Sequence, residues 1–331
     1  MNSTNFAGVQ SALPHAADAI RDAKSFVLAC HVNPDGDALG SLLGMYQGLI
    51  SLGKSDIAPM CQDAIPESLK FLPNSGTVGN RSSIDSFDLA IIVDSGDIER
   101  VGSDVLDVVR RARRTINIDH HVAAMPFGDI RLVDSAAAST AEIVYQLLLE
   151  LNVTITEGIA TCLFTGIITD TGSFRFQNVT PNTFRIAANL LESGAPPAVI
   201  SEQVFENRTF ASTSILGRCL STLTQYSDGR VTVAKISLTD FLETGAVDAD
   251  SEGIVNYVRG VRGAHVGILL REIAGHQIRA SLRSRDTIDV SKIAQVFGGG
   301  GHRMASGCTI NGTLDHAESE ILDQVRKQLD L

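Results

Sequence analysis

The chain has 331 residues, of which 44% are hydrophobic and 20% are charged, and its formal net charge is −11 at pH 7. This length exceeds that of one typical core, so two domains are expected, and the composition excludes a mainly disordered protein. The acidic balance argues against a protein that coats long nucleic acid, because such binding depends on many Lys and Arg contacts to phosphate.

Neither a membrane segment nor a secretory leader is expected. No apolar run reaches the roughly 18 residues that a membrane-spanning helix needs, and the N-terminus lacks a basic stretch followed by an apolar one. The five cysteines are scattered and form no CxxC pair, which indicates buried thiols in a reducing compartment. We therefore expect a cytoplasmic protein with no membrane partner.

Through about residue 190, short β-rich apolar runs alternate with helical patterns, which is typical of a parallel sheet covered by helices. The predicted strands are 26–29, 57–60, 89–93 and 115–118, and the predicted helices are 38–52, 140–151, 158–170 and 181 to about 193. Three of the strands end directly in polar clusters, CHVNPDGD, DSGD and DHH. Because ligands bind beyond the carboxyl ends of parallel strands, these clusters should converge on one site.

The second half of the chain has a different pattern. The double proline of GAPPAVISEQ predicts an interdomain linker at 193–212, between a first domain at 1–192 and a second at 213–331. Beyond it, VTVAKI, AHVGILLREI and HQIRASLRS predict strands, with antiparallel pairing around Ala274–Gly275. The run GGGGH at 298–302 and an amphipathic helix at 316–329 complete a smaller, mixed α/β domain.

The segment HVNPDGDALGS at 31–41 is a candidate metal-binding loop, because it places His31, Asp35 and Asp37 between a strand and a helix. Imidazole with carboxylates suits manganese, and carboxylate-rich sites also admit magnesium. The alternative is an ordinary turn in which an aspartate caps the helix, since Asp is favoured there. Taken alone, the loop does not decide between the two.

Further candidate ligands stand at the ends of other elements: Asp94, the run Asp119–His120–His121, and Asp170. Each alone fits a turn, a cap or a surface position. As a set they suit two divalent cations that share a carboxylate, for which Asp94 is central. Two such ions about 3.5 to 4 Å apart would lower the pKa of a bridging water molecule. They would also stabilise the attacking and the leaving oxygen at phosphorus. The set therefore predicts phosphoester hydrolysis.

The motifs HVNPDGDALGS, VDSGD, DHH and TDTGSFRF resemble the four motifs of the DHH phosphoesterase family. GGGGHRMASG resembles the DHH-associated C-terminal domain of that family, so the likeness spans nearly the whole chain. Within the family, the chain is similar to the branch of bacterial oligoribonucleases that also dephosphorylate 3′-phosphoadenosine 5′-phosphate (pAp). The resemblance implies hydrolysis of short oligoribonucleotides to nucleoside 5′-monophosphates and of pAp to AMP.

The resemblance also assigns roles to residues. One ion would be held by His31, Asp35 and Asp94, and the other by Asp37, Asp94, His120 and Asp170. His121 would face the scissile phosphate. Together with Asp94 and His120, it would form the set of catalytic residues. Asp119 would orient the histidines. The implied cofactor is two Mn²⁺ ions, with Mg²⁺ or Co²⁺ as substitutes.

The second domain is predicted to bind the substrate. Its four consecutive glycines allow a backbone with exposed N–H groups to approach an anion, whereas the alternative is a flexible linker. Arginines are frequent in this region, although an exposed Arg is often only solvated. The residues that the resemblance favours for substrate binding are Arg262, Arg283, Ser284, Gly299, Gly300, Gly301 and His302.

Three other functions stay open at this point. A phosphodiesterase for cyclic di-AMP or the linear dinucleotide pApA would perform the same chemistry, and an inorganic pyrophosphatase or polyphosphatase would share the catalytic domain. A nucleotide-binding module could keep the fold without turnover. The expected partners are short RNA oligonucleotides, pAp or dinucleotides, with no long nucleic acid, and the family likeness allows a homodimer.

Overall fold

The computed structural model describes residues 4–121, 126–285 and 288–328, with the side chains of 4–8 and 302 left aside. The chain forms two compact units, one up to Asn207 and one from Arg208. In the first unit the helices are α1 Thr4–Asp22, α2 Gly36–Ser51, α3 Ser103–Val109, α4 Thr140–Glu150, α5 Glu157–Asp170, α6 Pro181–Glu192 and α7 Pro197–Ser201. Its strands are β1 Ser25–Ala29, β2 Asp56–Met60, β3 Phe87–Val93, β4 Ala112–Asp119 and β5 Ile130–Val133.

The first unit is built on a parallel sheet with the strand order β2-β1-β3-β4-β5. Helices cover both faces, which explains why the strands are almost continuously apolar. Alternate residues of β1 enter different cores: Phe26 and Leu28 pack in the larger cluster with α2, α4 and α5, whereas Val27 and Ala29 pack on the side of α3. The parallel sheet predicted from the alternating pattern is confirmed.

The predicted strands and helices of the first unit are present, whereas a short edge strand was missed. The four predicted strands lie within β1 to β4, and the four predicted helices correspond to α2, α4, α5 and α6 within two residues at each end. The edge strand β5 was missed because it is only four residues long and carries an exposed arginine, Arg131. The segment predicted as a linker, 193–212, contains α7 and a π-helical turn at Glu202–Glu206. The position of the linker stays a prediction.

The second unit contains a mixed six-stranded sheet with the order β10-β11-β9-β8-β7-β6. Its strands are β6 Thr224–Tyr226, β7 Val231–Ile236, β8 Val266–Ile273, β9 Gln277–Ser284, β10 Gly300–His302 and β11 Ala305–Asn311. Its helices are α8 Phe210–Ser221, α9 Leu238–Thr244, α10 Ile254–Arg259, α11 Val290–Val296 and α12 Leu314–Gln328. The antiparallel pairing of β8 with β9 confirms the predicted hairpin, and the mixed α/β character is confirmed as well.

All five cysteines are free and buried, as their scatter through apolar runs predicted. Within the described parts of the chain, no helix combines the length and the apolar character needed to cross a membrane.

Candidate metal centre and anion-binding cavity

The candidate metal centre lies at the carboxyl ends of three neighbouring strands. His31 follows β1 by two residues, Asp94 follows β3 directly and His120 follows β4 directly. Because β1, β3 and β4 are adjacent in the sheet, these side chains meet at one edge. The Asp94 backbone has φ +56°, a left-handed conformation that Asp tolerates, and its N–H donates to the Ile118 carbonyl at 2.9 Å.

Two histidines approach the carboxylates from different directions. His31 Nε2 lies 3.4 Å from Asp94 Oδ2 and 3.9 Å from Asp35 Oδ1. His120 Nε2 lies 3.0 Å from Asp170 Oδ2, 3.6 Å from Asp94 Oδ1 and 3.9 Å from Asp37 Oδ2. The structure thus brings together all six side chains that the sequence proposed as ligands.

These side chains form three groups whose potential ligand atoms lie within 4.8 Å of one another. The groups are His31 with Asp35 and Asp94, Asp37 with His120 and Asp170, and Asp94 with His120 and His121. Buried carboxylates at this density require compensating positive charge. His120 Nε2 is buried and faces three carboxylates, yet its geometry forms no hydrogen bond with any residue that the structure describes, even with Asp170 Oδ2 at 3.0 Å. The imidazole and carboxylate donors could therefore hold divalent metal.

Asp35 and Asp37 have different surroundings. Asp35 caps α2, because its Oδ1 accepts hydrogen bonds from the backbone N–H groups of Asp37 and Ala38, both at 3.0 Å. The same carboxylate is near His31, so capping and metal binding are compatible at this position. Asp37 is fully buried and accepts from the N–H groups of Thr140 at 2.6 Å and Ala141 at 2.9 Å.

The protonation equilibria reflect this crowding of charge. Burial alone would lower the pKa of His31, but contacts with Asp94, the Val32 carbonyl and Asp35 outweigh burial and raise the pKa to about 9. Burial is likewise outweighed at His120, where Asp170, Asp37 and Asp94 raise the pKa to about 10. A cation at the centre would compete with these protons, since a metal-bound imidazole must be neutral.

The carboxylates respond in opposite directions. Burial, reinforced by the neighbouring Asp94 and Asp170, raises the pKa of Asp37 well above its ordinary value. Burial also acts to raise the pKa of Asp94, but the hydrogen bond with His31 and the charges of His120 and His121 outweigh it, so this pKa is lowered. Asp94 is therefore the carboxylate most surrounded by imidazoles, which suits a ligand shared between two cations.

His121 is held by Asp119. The Asp119 Oδ1 lies 2.9 Å from His121 Nδ1 and accepts the His121 backbone N–H at 3.0 Å. His121 Nδ1 is also 3.5 Å from Asp94 Oδ1, and the two histidine rings are 4.4 Å apart. The geometry supports an orienting role for Asp119 at His121, whereas Asp119 makes no described hydrogen bond to His120.

Sequence reasoning missed the contribution of the α4 N-terminus. Its first residue, Thr140, donates its hydroxyl to Asp94 Oδ1 at 2.9 Å, in addition to the backbone contacts with Asp37. A helix N-terminus favours negative charge because its N–H groups lack partners within the helix. The start of this helix was predicted at residue 140, but nothing local in the sequence indicated that it faces an aspartate 103 positions earlier.

The second unit contains a separate cavity of about 610 Å³. Its lining includes Arg271, Arg279, Arg283, Ser281, Ser306 and the glycine run 298–301. Arg283 and Gly299 to Gly301 are thus found together, as the sequence proposed. Arginine side chains beside unobstructed backbone form an environment suited to an anion.

The remaining proposed substrate contacts are placed differently. Arg262 is exposed in the loop after α10 and does not line this cavity. Ser284 is fully buried, and its hydroxyl donates to the Ile288 carbonyl at 2.7 Å, so it serves the fold. The His302 side chain lies outside the described part of the chain. Arg271 and Arg279 line the cavity, although the sequence did not single them out from the other arginines.

Comparison with known proteins agrees with this architecture. Residues 25–167 match the DHH family N-terminal domain and residues 228–330 match the DHHA1 domain. The chain is 36% identical over 305 residues to the bifunctional oligoribonuclease and PAP phosphatase NrnA of Thermus thermophilus, covering 91% of this chain and 89% of the relative. It is 28% identical over 297 residues to the protein of the same name from Bacillus subtilis, covering 86% and 89%.

A solved structure has the same fold. An exopolyphosphatase-related protein from Bacteroides fragilis matches with a TM-score of 0.89 at 27% identity, over 96% of both chains. Fold and candidate centre together define a hydrolase with sites for divalent metal. The chain belongs to the DHH phosphoesterase family, with a DHH N-terminal domain followed by a DHHA1 domain.

Proposed function

We propose that this protein is a cytoplasmic phosphoesterase that uses two Mn²⁺ ions to hydrolyse short oligoribonucleotides to nucleoside 5′-monophosphates and pAp to AMP. The observation that carries the proposal is the convergence of three donor groups, of which two contain Asp94 and two contain His120. The names of the Thermus and Bacillus relatives support the choice of substrates. The five free, buried thiols are consistent with a reducing compartment.

The proposed ligands divide between two ions. One ion is assigned to His31, Asp35 and Asp94, and the other to Asp37, Asp94, His120 and Asp170. When bound, the two ions would supply a water of lowered pKa and neutralise charge that develops at phosphorus. The two buried carboxylates among them, Asp37 and Asp94, both accept hydrogen bonds from Thr140 at the α4 N-terminus.

His121 is the proposed contact to the scissile phosphate. Its side chain is 33% exposed, whereas that of His120 is 14% exposed, so His121 is the more accessible of the pair. Asp119 accepts from its Nδ1–H, so Nε2 can donate a hydrogen bond to a non-bridging phosphate oxygen when the imidazole is protonated. In the second unit, Arg283 and the backbone of Gly299 to Gly301 are the proposed contacts to a phosphate group of the nucleotide.

Product analysis with separate substrates tests the proposal. Purified protein loaded with Mn²⁺ is incubated with pApA, pAp, cyclic di-AMP, pyrophosphate or polyphosphate, and the products are separated by chromatography. We expect AMP from pApA and pAp as the fastest reactions. A preference for cyclic di-AMP would select a cyclic dinucleotide phosphodiesterase. A preference for pyrophosphate or polyphosphate would identify the protein as an inorganic pyrophosphatase or polyphosphatase. The absence of turnover with every substrate would indicate a nucleotide-binding protein without catalytic activity.

The Asp94→Asn variant tests whether the shared carboxylate carries the activity. Asn accepts the left-handed backbone conformation found here, so the fold should be retained. We expect turnover of pApA to fall by at least about 100-fold and the bound Mn²⁺, measured by elemental analysis, to decrease. Asp107→Asn is the matched control, because Asp107 is exposed on α3 and should leave both quantities unchanged. Normal turnover in Asp94→Asn would contradict the assignment.

A further inference from the structure

The cavity of the second unit carries two arginines in an unusual arrangement. Arg271 of β8 lies directly opposite Arg279 of β9, and Arg283 stands on the same face of the sheet four residues further along β9. Like charges directly opposite each other destabilise an antiparallel pair. A negative group is therefore needed on this face of the sheet.

Asp248 provides that negative group from within the chain. Its Oδ1 lies 2.8 Å from Arg271 Nη1 and its Oδ2 lies 3.3 Å from Arg279 Nη1, so one carboxylate bridges both guanidinium groups. Arg271 is only 8% exposed and also donates to the Ser251 hydroxyl at 2.6 Å. The two oxygens of Asp248 thus pair with the two guanidinium groups in the way that two oxygens of a phosphate group could.

At the other end of the cavity, Arg283 has different partners. Among the described residues no carboxylate forms an ion pair with it, and its Nη1 donates to the Leu282 carbonyl at 3.0 Å. Burial and the neighbouring Arg259 lower the pKa of Arg283, and the charge of Glu252 offsets them only in part. The glycines 298–301 line the cavity together with Arg283. The Arg283 end of the cavity can therefore bind an anion from solution, whereas the two arginines at the other end already bind the Asp248 carboxylate.

We propose that Asp248 is a specificity-determining residue that restricts this cavity to ligands with a single terminal phosphate group. Its carboxylate accepts from both Arg271 and Arg279 and cancels one of their two positive charges, so a second phosphate group extending toward them meets a carboxylate where it would need free guanidinium donors. The inference rests on the proposed function for the nucleotide nature of the ligand. It adds that the end of the ligand held in the second unit is a monophosphate, not a diphosphate or triphosphate.

Calorimetric binding of AMP, ADP and ATP to the full chain in EDTA tests the inference without hydrolysis. In the wild-type protein we expect ADP and ATP to bind no more tightly than AMP. In Asp248→Asn, which frees both guanidinium groups, the affinities for ADP and ATP should rise by at least about 10-fold relative to that for AMP. Asp248→Glu keeps the negative charge, so its affinities for ADP and ATP relative to that for AMP should match those of the wild-type protein.

Two further variants make the test independent of folding effects. Glu243→Gln removes the carboxylate that pairs with Arg218 at 2.6 Å outside the cavity, and it should leave the ratio unchanged. Arg279→Gln leaves Asp248 with one arginine, so ADP should bind at least about threefold more weakly relative to AMP. Arg279 is 57% exposed, which makes this substitution tolerable for folding.

The outcomes separate this inference from the proposed function. Tighter binding of ADP or ATP than of AMP by the wild-type protein, or an unchanged ratio in Asp248→Asn with a normal unfolding temperature, would overturn the inference. Hydrolysis of pApA in Mn²⁺ is measured in parallel. If pApA is hydrolysed but Asp248→Asn leaves the affinity for ADP and ATP relative to AMP unchanged, only the inference fails. If pApA is not hydrolysed but Asp248→Asn raises that relative affinity, only the proposed function fails.

Discussion

Uncharged groups position the carboxylates of the candidate centre. Asp37 is fully buried, and its nearest donors are the two N–H groups at the start of α4. Asp94 is 2% exposed and receives the Thr140 hydroxyl. The oxygens that accept from Thr140, Asp37 Oδ2 and Asp94 Oδ1, are also the ones that lie within 3.9 Å of His120 Nε2. Thr140 therefore contacts both central aspartates, one through its backbone and one through its side chain.

Replacing Thr140 by valine should weaken the centre without removing a ligand. Valine keeps the shape of threonine but removes the hydroxyl that donates to Asp94. We expect Mn²⁺ affinity or turnover of pApA to fall by about 10- to 100-fold, the range found for outer partners of metal ligands. Thr140→Ser keeps the hydroxyl and should retain most of the activity. Equal losses in the two variants would mean that packing, not the hydrogen bond, is responsible.

At the scale of elements, the close packing of α2 on α5 sets the distance between Asp37 and Asp170. Gly36, Gly40 and Gly44 recur every fourth residue along α2 and face α5. A Cβ on Gly40 would lie 2.3 Å from the Cys162 carbonyl oxygen, which belongs to the backbone and cannot rotate away. The glycines thus allow the two helices that carry the proposed ligands Asp37 and Asp170 to approach closely.

Gly40→Ala should move these helices apart. Although alanine favours a helix over glycine by about 1 kcal/mol, the steric conflict should dominate and lower the free energy of unfolding by about 1 to 3 kcal/mol. The displacement should also reduce Mn²⁺ affinity. Gly217→Ala is the control, because a Cβ at this exposed position of α8 meets nothing within 4 Å and should stabilise the protein slightly. Denaturant unfolding of the two variants in parallel measures both effects.

At the scale of the whole molecule, the net charge of −11 limits how the protein can bind RNA. A protein that follows a long RNA chain neutralises many phosphates and loses affinity steeply with salt. Here the proposed phosphate contacts are few, namely the candidate metal centre and the surroundings of Arg283. Recognition should therefore depend on the ends of a short substrate.

The salt dependence of hydrolysis checks this expectation. Between about 50 and 200 mM KCl at fixed Mn²⁺, we expect log(1/KM) for an oligoadenylate of about eight nucleotides to fall against log[salt] with a slope no steeper than about −2, since about two or three phosphates of the single strand are neutralised. The measurement is a set of initial-rate curves at several salt concentrations. A slope near −5 or steeper would indicate an extended RNA-binding surface that the charge distribution does not suggest.

The sequence by itself determined the edge at which the candidate centre forms. His31, Asp94 and His120 each follow an apolar run of strand length, and the carboxyl ends of neighbouring parallel strands meet at one edge of a sheet. The helices α2, α4, α5 and α6 were predictable for a similar reason, because their apolar patterns and terminal residues are local signals. β10 and β11 were not predicted, since β10 is only three residues long with two glycines and β11 has a glycine in its interior, which weakens the local strand signal.

Only the tertiary structure decided which partner each polar group has. The contact between Thr140 and Asp37 joins residues 103 positions apart, and Asp248 meets Arg271 and Arg279 across 23 and 31 positions. It also showed that Ser284 is used within the fold and that Asp35 both caps α2 and approaches His31. Hydrogen bonds and ion pairs act over a few ångströms, so they depend on distances that exist only once the strands and helices have packed.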